Sequence, residues 1–100
     1  MNNSRKESIE SFDNPVSKIS IVPNPAKEKA ELNFTITESG NAEILIVDIL
    51  GNQMLKIGDY TAFSGSNSLS IDLSNYPVGI YNVLVKTSAG ITSQKFSVMR

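Results

Sequence analysis

Ala30-Glu31-Leu32-Asn33-Phe34-Thr35-Ile36-Thr37 alternates apolar and polar side chains at every step. In an extended backbone successive side chains point to opposite faces, so this stretch has one face to pack and one to wet. A helix would scatter the same apolar residues around its circumference, so the segment reads as a half-buried β-strand. Working outward, Lys18 to Val22 precedes it as a first strand. Glu43 to Leu50 (EILIVDIL) follows as a nearly unbroken, β-branched apolar run, the pattern of a strand covered on both sides. Gly51-Asn52 then supplies a two-residue turn, because glycine tolerates positive φ, and Gln53 to Ile57 returns antiparallel as a hairpin.

The period of two continues to the end of the sequence. Ser66 to Leu73 sets Leu69, Ile71 and Leu73 against Ser68, Ser70 and Asp72. Ile80 to Thr87 places Tyr81, Val83 and Val85 inward and Asn82, Leu84 and Lys86 outward. Ala89-Gly90 turns the chain, and Ile91 to Met99 points Phe96 and Val98 one way and Lys95 and Ser97 the other. No stretch repeats apolar residues at spacings of three and four, so helices are incidental. Seven short strands separated by turn signals predict an all-β fold: an immunoglobulin-like β-sandwich of about seven antiparallel strands over residues 17–100. An open barrel is the alternative. Residues 1–16 (MNNSRKESIESFDNPV) are too polar to offset the entropy of ordering, and read as a flexible linker or lead-in with at most a helical turn at Lys6 to Ser11.

Composition narrows the chemistry. The 100 residues are 40% apolar and 19% charged, enough for one domain with its own core. No cysteine means no disulfide, thiol nucleophile or zinc-thiolate site, and no histidine removes the commonest general base and metal ligand. A lysine base is the remaining catalytic option, and no paired acidic motif accompanies it. The expectation is a protein that is not an enzyme and needs no cofactor. Nine basic against ten acidic residues, interspersed, give a net charge of −1 and no pull toward nucleic acid or anionic lipid. No apolar run approaches the roughly 18 residues of a membrane helix. The polar start lacks a secretory leader, so the chain as it stands is expected to be soluble and unexported.

Three clusters then stand out: Val22-Pro23-Asn24-Pro25-Ala26, Ile46-Val47-Asp48-Ile49-Leu50-Gly51, and Asp72-Leu73-Ser74-Asn75-Tyr76-Pro77-Val78-Gly79-Ile80-Tyr81, with Lys95-Phe96-Ser97-Val98-Met99-Arg100 closing the chain. Their order and gaps resemble the C-terminal sorting domain of proteins exported by the type IX (Por) secretion system of Bacteroidota, over about Ser17 to Arg100. Each motif alone is weak; together with the terminal strand they are fairly specific. The motif positions are Pro23, Asn24, Pro25, Asp48, Gly51, Tyr76, Pro77, Gly79 and Tyr81. Arg100 stands where Lys is more frequent, and Asn82 where an aromatic or apolar residue often follows.

The resemblance implies a secretion address rather than chemistry. It implies a covalently preceding cargo, folding in the periplasm and reading by the outer-membrane translocon. A sortase then cuts within Ser4 to Lys18, leaving the cargo at the outer-membrane surface or outside the cell. On that reading the 100 residues are an excised piece whose Met1 is not native.

Each motif also has a plainer structural role. Pro23 to Pro25 is a rigid strand-ending turn, since proline fixes φ and removes an amide donor. Asp48 is a turn acceptor for backbone amides; with Asp59 and Asp72 it could otherwise line a calcium site, although the spacing matches no calcium loop. Tyr76 and Tyr81 are core rings with a bonded hydroxyl, comparable to a corner tyrosine. For the last strand, translocon recognition is expected at Lys95, Phe96, Val98, Met99 and Arg100, because an edge strand can add to a partner sheet. The same exposed edge would allow a weak strand-mediated homodimer. The competing function is a carbohydrate-binding or adhesive sandwich, which would need an exposed aromatic platform.

Overall fold

The computed structural model describes residues 16–88 and 90–100. Met1 to Pro15, with the helical turn expected at Lys6 to Ser11, and Ala89 of the expected Ala89-Gly90 turn lie outside them. Seven strands follow in chain order: β1 Val16–Val22, β2 Lys29–Ile36, β3 Gly40–Asp48, β4 Gln53–Ala62, β5 Gly65–Asp72, β6 Gly79–Thr87 and β7 Gly90–Val98. All pair antiparallel, in a three-stranded sheet ordered β1-β2-β5 and a four-stranded sheet ordered β4-β3-β6-β7. The two sheets pack face to face as an immunoglobulin-like sandwich.

The alternation chooses the core. Leu32, Phe34 and Ile36 of β2 face Ala42, Ile44 and Ile46 of β3 and Tyr81, Val83 and Val85 of β6 across the interior, all buried. Leu73 and Tyr76, from the loop after β5, plug one end of this layer. A core built from inward positions of every strand couples the two sheets, and burial of each large side chain contributes roughly 1.5–3 kcal/mol.

Three sequence expectations are corrected. The run from Glu43 to Leu50 does not continue as strand to its end. β3 stops at Asp48, whose carboxylate captures the amides of Leu50 and Asn52, and the connection is the four-residue turn Ile49 to Asn52 with Gly51 at φ +90°. Nor is β3 covered on both faces: Ala42, Ile44 and Ile46 are buried, whereas Glu43, Leu45 and Val47 stay half-exposed on the outside of the sheet. There Glu43 pairs with Lys56 at 3.4 Å and Lys86 at 3.3 Å, bridging β4, β3 and β6.

β4 also outruns the predicted Gln53 to Ile57 and reaches Ala62. The ladder goes from Ile44↔Ile57 to Ala42↔Tyr60, so a bulge at Gly58-Asp59 inserts one extra residue and reverses the inward phase. Beyond it Tyr60 packs edge-on against Phe34, with ring centroids 5.9 Å apart, and Ala62 is buried.

Candidate functional site

Because neighbouring strands run in opposite directions, β1, β3, β5 and β7 all finish at the same end of the sandwich. The loops that follow the first three, residues 23–28, 49–52 and 73–78, therefore gather beside residues 98–100. Every motif position singled out in the sequence falls at this end.

Across the four-stranded sheet the register is direct: Asp48 pairs with Tyr81, Tyr81 with Phe96, and Gly79 with Val98. Tyr81 stacks on Phe96 at 5.7 Å, and Tyr76 tilts against Tyr81 at 5.3 Å. The hydroxyl of Tyr81 donates to the carbonyl of Pro77, four residues upstream. That is the tyrosine corner expected of Tyr81: the ring fills the core while the hydroxyl fastens the loop before its own strand. Burial raises the pKa of both Tyr76 and Tyr81.

Asp48 is the turn acceptor that its place before Gly51 suggested. Its Oδ1 accepts from the Leu50 and Asn52 amides at 2.9 and 2.8 Å, and Oδ2 accepts from the Asn52 side chain at 3.0 Å. These bonds, led by the Asn52 side chain, hold its carboxyl below the ordinary carboxylate pKa. Asp72 likewise accepts from the Ser74 amide at 2.9 Å, which lowers its pKa. Both carboxylates are thus occupied by turns. Asp59 sits in β4, away from both turns, and no group of three metal-ligating side chains occurs among the described residues.

The Pro23-Asn24-Pro25 loop does more than end β1, and its two X–Pro bonds are both cis. Ala26, buried behind it, forms a parallel bridge with Val98: its amide donates to the Ser97 carbonyl at 2.8 Å and its carbonyl accepts from the Met99 amide at 2.9 Å. Asn24 adds its side-chain oxygen as acceptor for the Ser97 amide at 3.1 Å. The free edge of β7 is therefore covered over Ser97 to Met99 by the chain's own loop. Within an antiparallel strand, alternate residues turn their backbone groups to the same side, so Ile91, Ser93 and Lys95 face the same edge as Ser97, a stretch that no strand among the described residues pairs.

Among the residues expected to carry recognition, Phe96 and Val98 point into the core, while Lys95 and Met99 are exposed. Arg100 turns back onto the molecule. Its two terminal nitrogens donate to the carbonyls of Tyr76 and Leu73, both at 2.6 Å, clasping the turn closed by the Tyr76 amide and the Leu73 carbonyl. Such charge-assisted bonds are stronger than neutral ones. Neither the Ala26 bridge nor the Arg100 clasp was legible in the sequence. The only sequence trace of the bridge is that Ala26 is small enough to bury beside a strand.

A family model described as a secretion system C-terminal sorting domain matches residues 20–99. No curated protein matches the chain. A solved structure that resembles it is PorZ, described as an essential surface component of the type-IX secretion system of Porphyromonas gingivalis. It is 15% identical with a TM-score of 0.55, over 82% of this chain and 11% of that one. The chain thus spans about a tenth of PorZ's length, and at this identity the likeness speaks to the fold alone. The family match covers both sheets and all the motifs gathered at one end: this chain belongs to the C-terminal sorting domains, the signal that directs proteins into the type IX secretion route.

Proposed function

We propose that the domain works as a folded, non-catalytic address read at the end where its motifs gather, with Lys95–Arg100 at the centre of the surface that the translocon contacts. The observation that carries this is the convergence itself: three motifs distant in sequence meet around one short C-terminal segment. In this reading Lys95 and Met99 touch the receptor, whereas Phe96, Val98 and Arg100 hold the segment in position. The domain folds in the periplasm behind its cargo. The sortase cut then falls upstream of the sandwich, within Ser4 to Lys18, and leaves the cargo at the surface or released. The open backbone of β7 from Ile91 to Lys95 is also where a second copy could add a strand weakly.

The sugar-binding alternative finds little support. Among the described residues Phe34, Tyr76, Tyr81 and Phe96 are buried and Tyr60 is half-buried, leaving Phe63 as the one widely exposed ring.

The test is a fusion of residues 17–100 behind a periplasmic reporter in a host with a working type IX system. The intact fusion is expected at the surface or in the medium. Removing Met99 and Arg100, which deletes no buried side chain, is expected to retain it in the periplasm. Equal travel of the shortened fusion would refute recognition at this segment.

A further inference from the structure

The turn after β3 is unusually well fastened for what it displays. Three hydrogen bonds converge on the Asp48 carboxylate, the Gly51 amide donates to the Asp48 carbonyl at 3.0 Å, and the Asp48 amide donates to the Asn52 carbonyl at 2.9 Å. At its tip stand Ile49 and Leu50, adjacent large aliphatic side chains that are 75% and 83% exposed. Turn tips are ordinarily polar, and neither residue belongs to the core or packs on it. Among the described residues their exposure therefore has no structural return.

They are not isolated. Val78 and Ile80 are exposed at the start of β6, Met99 beyond the end of β7, and Val22 at the end of β1. Strands in a sheet lie about 4.8 Å apart, so the ends of β3, β6 and β7 fall within roughly 10 Å of one another. Phe63 and Ile91, the other exposed large apolar residues among those described, belong to the opposite end. Around the apolar tips the neighbouring loops offer polar residues, Asn24, Ser74 and Asn75, and charges of both signs, Lys27 and Glu28 among them. An apolar centre with a polar rim is the anatomy of a protein interface. Because the Asp48 bonds fix the turn beforehand, little ordering entropy opposes its insertion into a concave site.

We propose that Ile49 and Leu50 are the anchor of this end, inserted into an apolar pocket of the protein receptor that reads the sorting domain. This rests on the reading above that the motif end is the recognised one, and adds to it a contact outside the terminal segment. The occupant is a protein pocket: the charges at this end are of mixed sign, Lys27, Lys29 and Arg100 against Glu28, Asp48 and Asp72, and Arg100 is already engaged with the Tyr76 and Leu73 carbonyls, so the one-sign basic face that would suit an anionic lipid surface is missing.

The test uses the same reporter fusion with I49S/L50S, with I49L/L50M as the apolar control and F63S/I91S as the control at the far end. I49S/L50S is expected to lower surface reporter about tenfold or more, the loss typical of an anchor residue, while both controls travel like the parent. Since both side chains are exposed, the thermal midpoint of the I49S/L50S domain should stay within a few degrees of the parent. Should it fall further, the comparison passes to L50S alone, read in the same way. Unchanged export of the serine variant, or equal loss in F63S/I91S, overturns the inference. So does sedimentation in which the parent domain dimerises and I49S/L50S does not, which makes the occupant a second copy. Parent-only binding to phosphatidylethanolamine–phosphatidylglycerol vesicles overturns it in favour of lipid. If the parent fusion itself is not exported, it is the sorting reading that fails; if parent and I49S/L50S both travel, only the anchor does.

Discussion

The link between β4 and β5 at the far end and the C-terminal segment at the motif end are fastened differently. At the far end, buried Asn67 fastens the link between β4 and β5 from four residues away: its Oδ1 accepts from the Phe63 amide at 3.0 Å, and its Nδ2 donates to the Phe63 carbonyl at 2.9 Å. At the motif end, Asn24 reaches Ser97 across 73 positions, and Arg100 reaches Tyr76 and Leu73 across 24 and 27. The Ser64 amide also donates to the Ser39 hydroxyl at 2.9 Å, 25 positions back, but the Asn67 fastening itself can form as soon as its own turn forms. The motif end exists only when β1, β5, β6 and β7 are all in place, so whatever binds there binds the completed fold.

The largest test of that contrast is Phe96→Ala. It empties a buried position stacked on Tyr81 and should cost about 3–5 kcal/mol, a large share of a small domain's stability. Urea denaturation measures it, and a loss under about 1 kcal/mol would mean that the motif end is not part of the cooperative core. Asn67→Ala comes next, at about 2 kcal/mol, because it strands the Phe63 amide and carbonyl at a partly buried site. Hydrogen exchange should quicken around residues 63–67 and leave Ser97 and Met99 protected. If the two ends respond alike, the local-against-distant distinction is lost.

Arg100→Ala should cost less, about 1 kcal/mol once its exposure is allowed for. Its mark is positional: amide signals of residues 73–76 should shift while those of 63–67 do not. Shifts confined to residue 99 would show that the clasp holds nothing. Acid titration gives the smallest effect. The folded pKa values of Asp48, Asp72 and Glu43 are lowered, so the folded state binds these protons more weakly than the unfolded chain. Their contribution is full above the ordinary values of 3.8 for Asp and 4.5 for Glu, and is lost as pH falls through the lowered ones. Asp48→Asn should flatten part of that decline, measured as thermal midpoint against pH. An unchanged slope would mean the turn does not favour the charged form.

Much of this could be read from the order of residues. Alternation is a local property, so β2, β5, β6 and β7 announced both their extent and their buried faces, and Tyr81 its place in the core. The failures were also local in cause. A bulge at Gly58-Asp59 broke the period and hid the second half of β4, and the aliphatic Ile49-Leu50 pair looked like strand because hydropathy says nothing about a carboxylate capturing the amides of a turn.

Side-chain pattern alone thus specified which segments extend, which face of each is buried, and the family motifs. It could not specify that β7 lies at a sheet edge, that Ala26 covers the end of that edge, or that Arg100 closes onto the loop before β6. Those are pairings of backbone groups between segments dozens of residues apart, and a backbone amide or carbonyl carries no trace in the sequence of which partner it will meet. Packing the two sheets brings the partners together, and that packing turns scattered motifs into one surface.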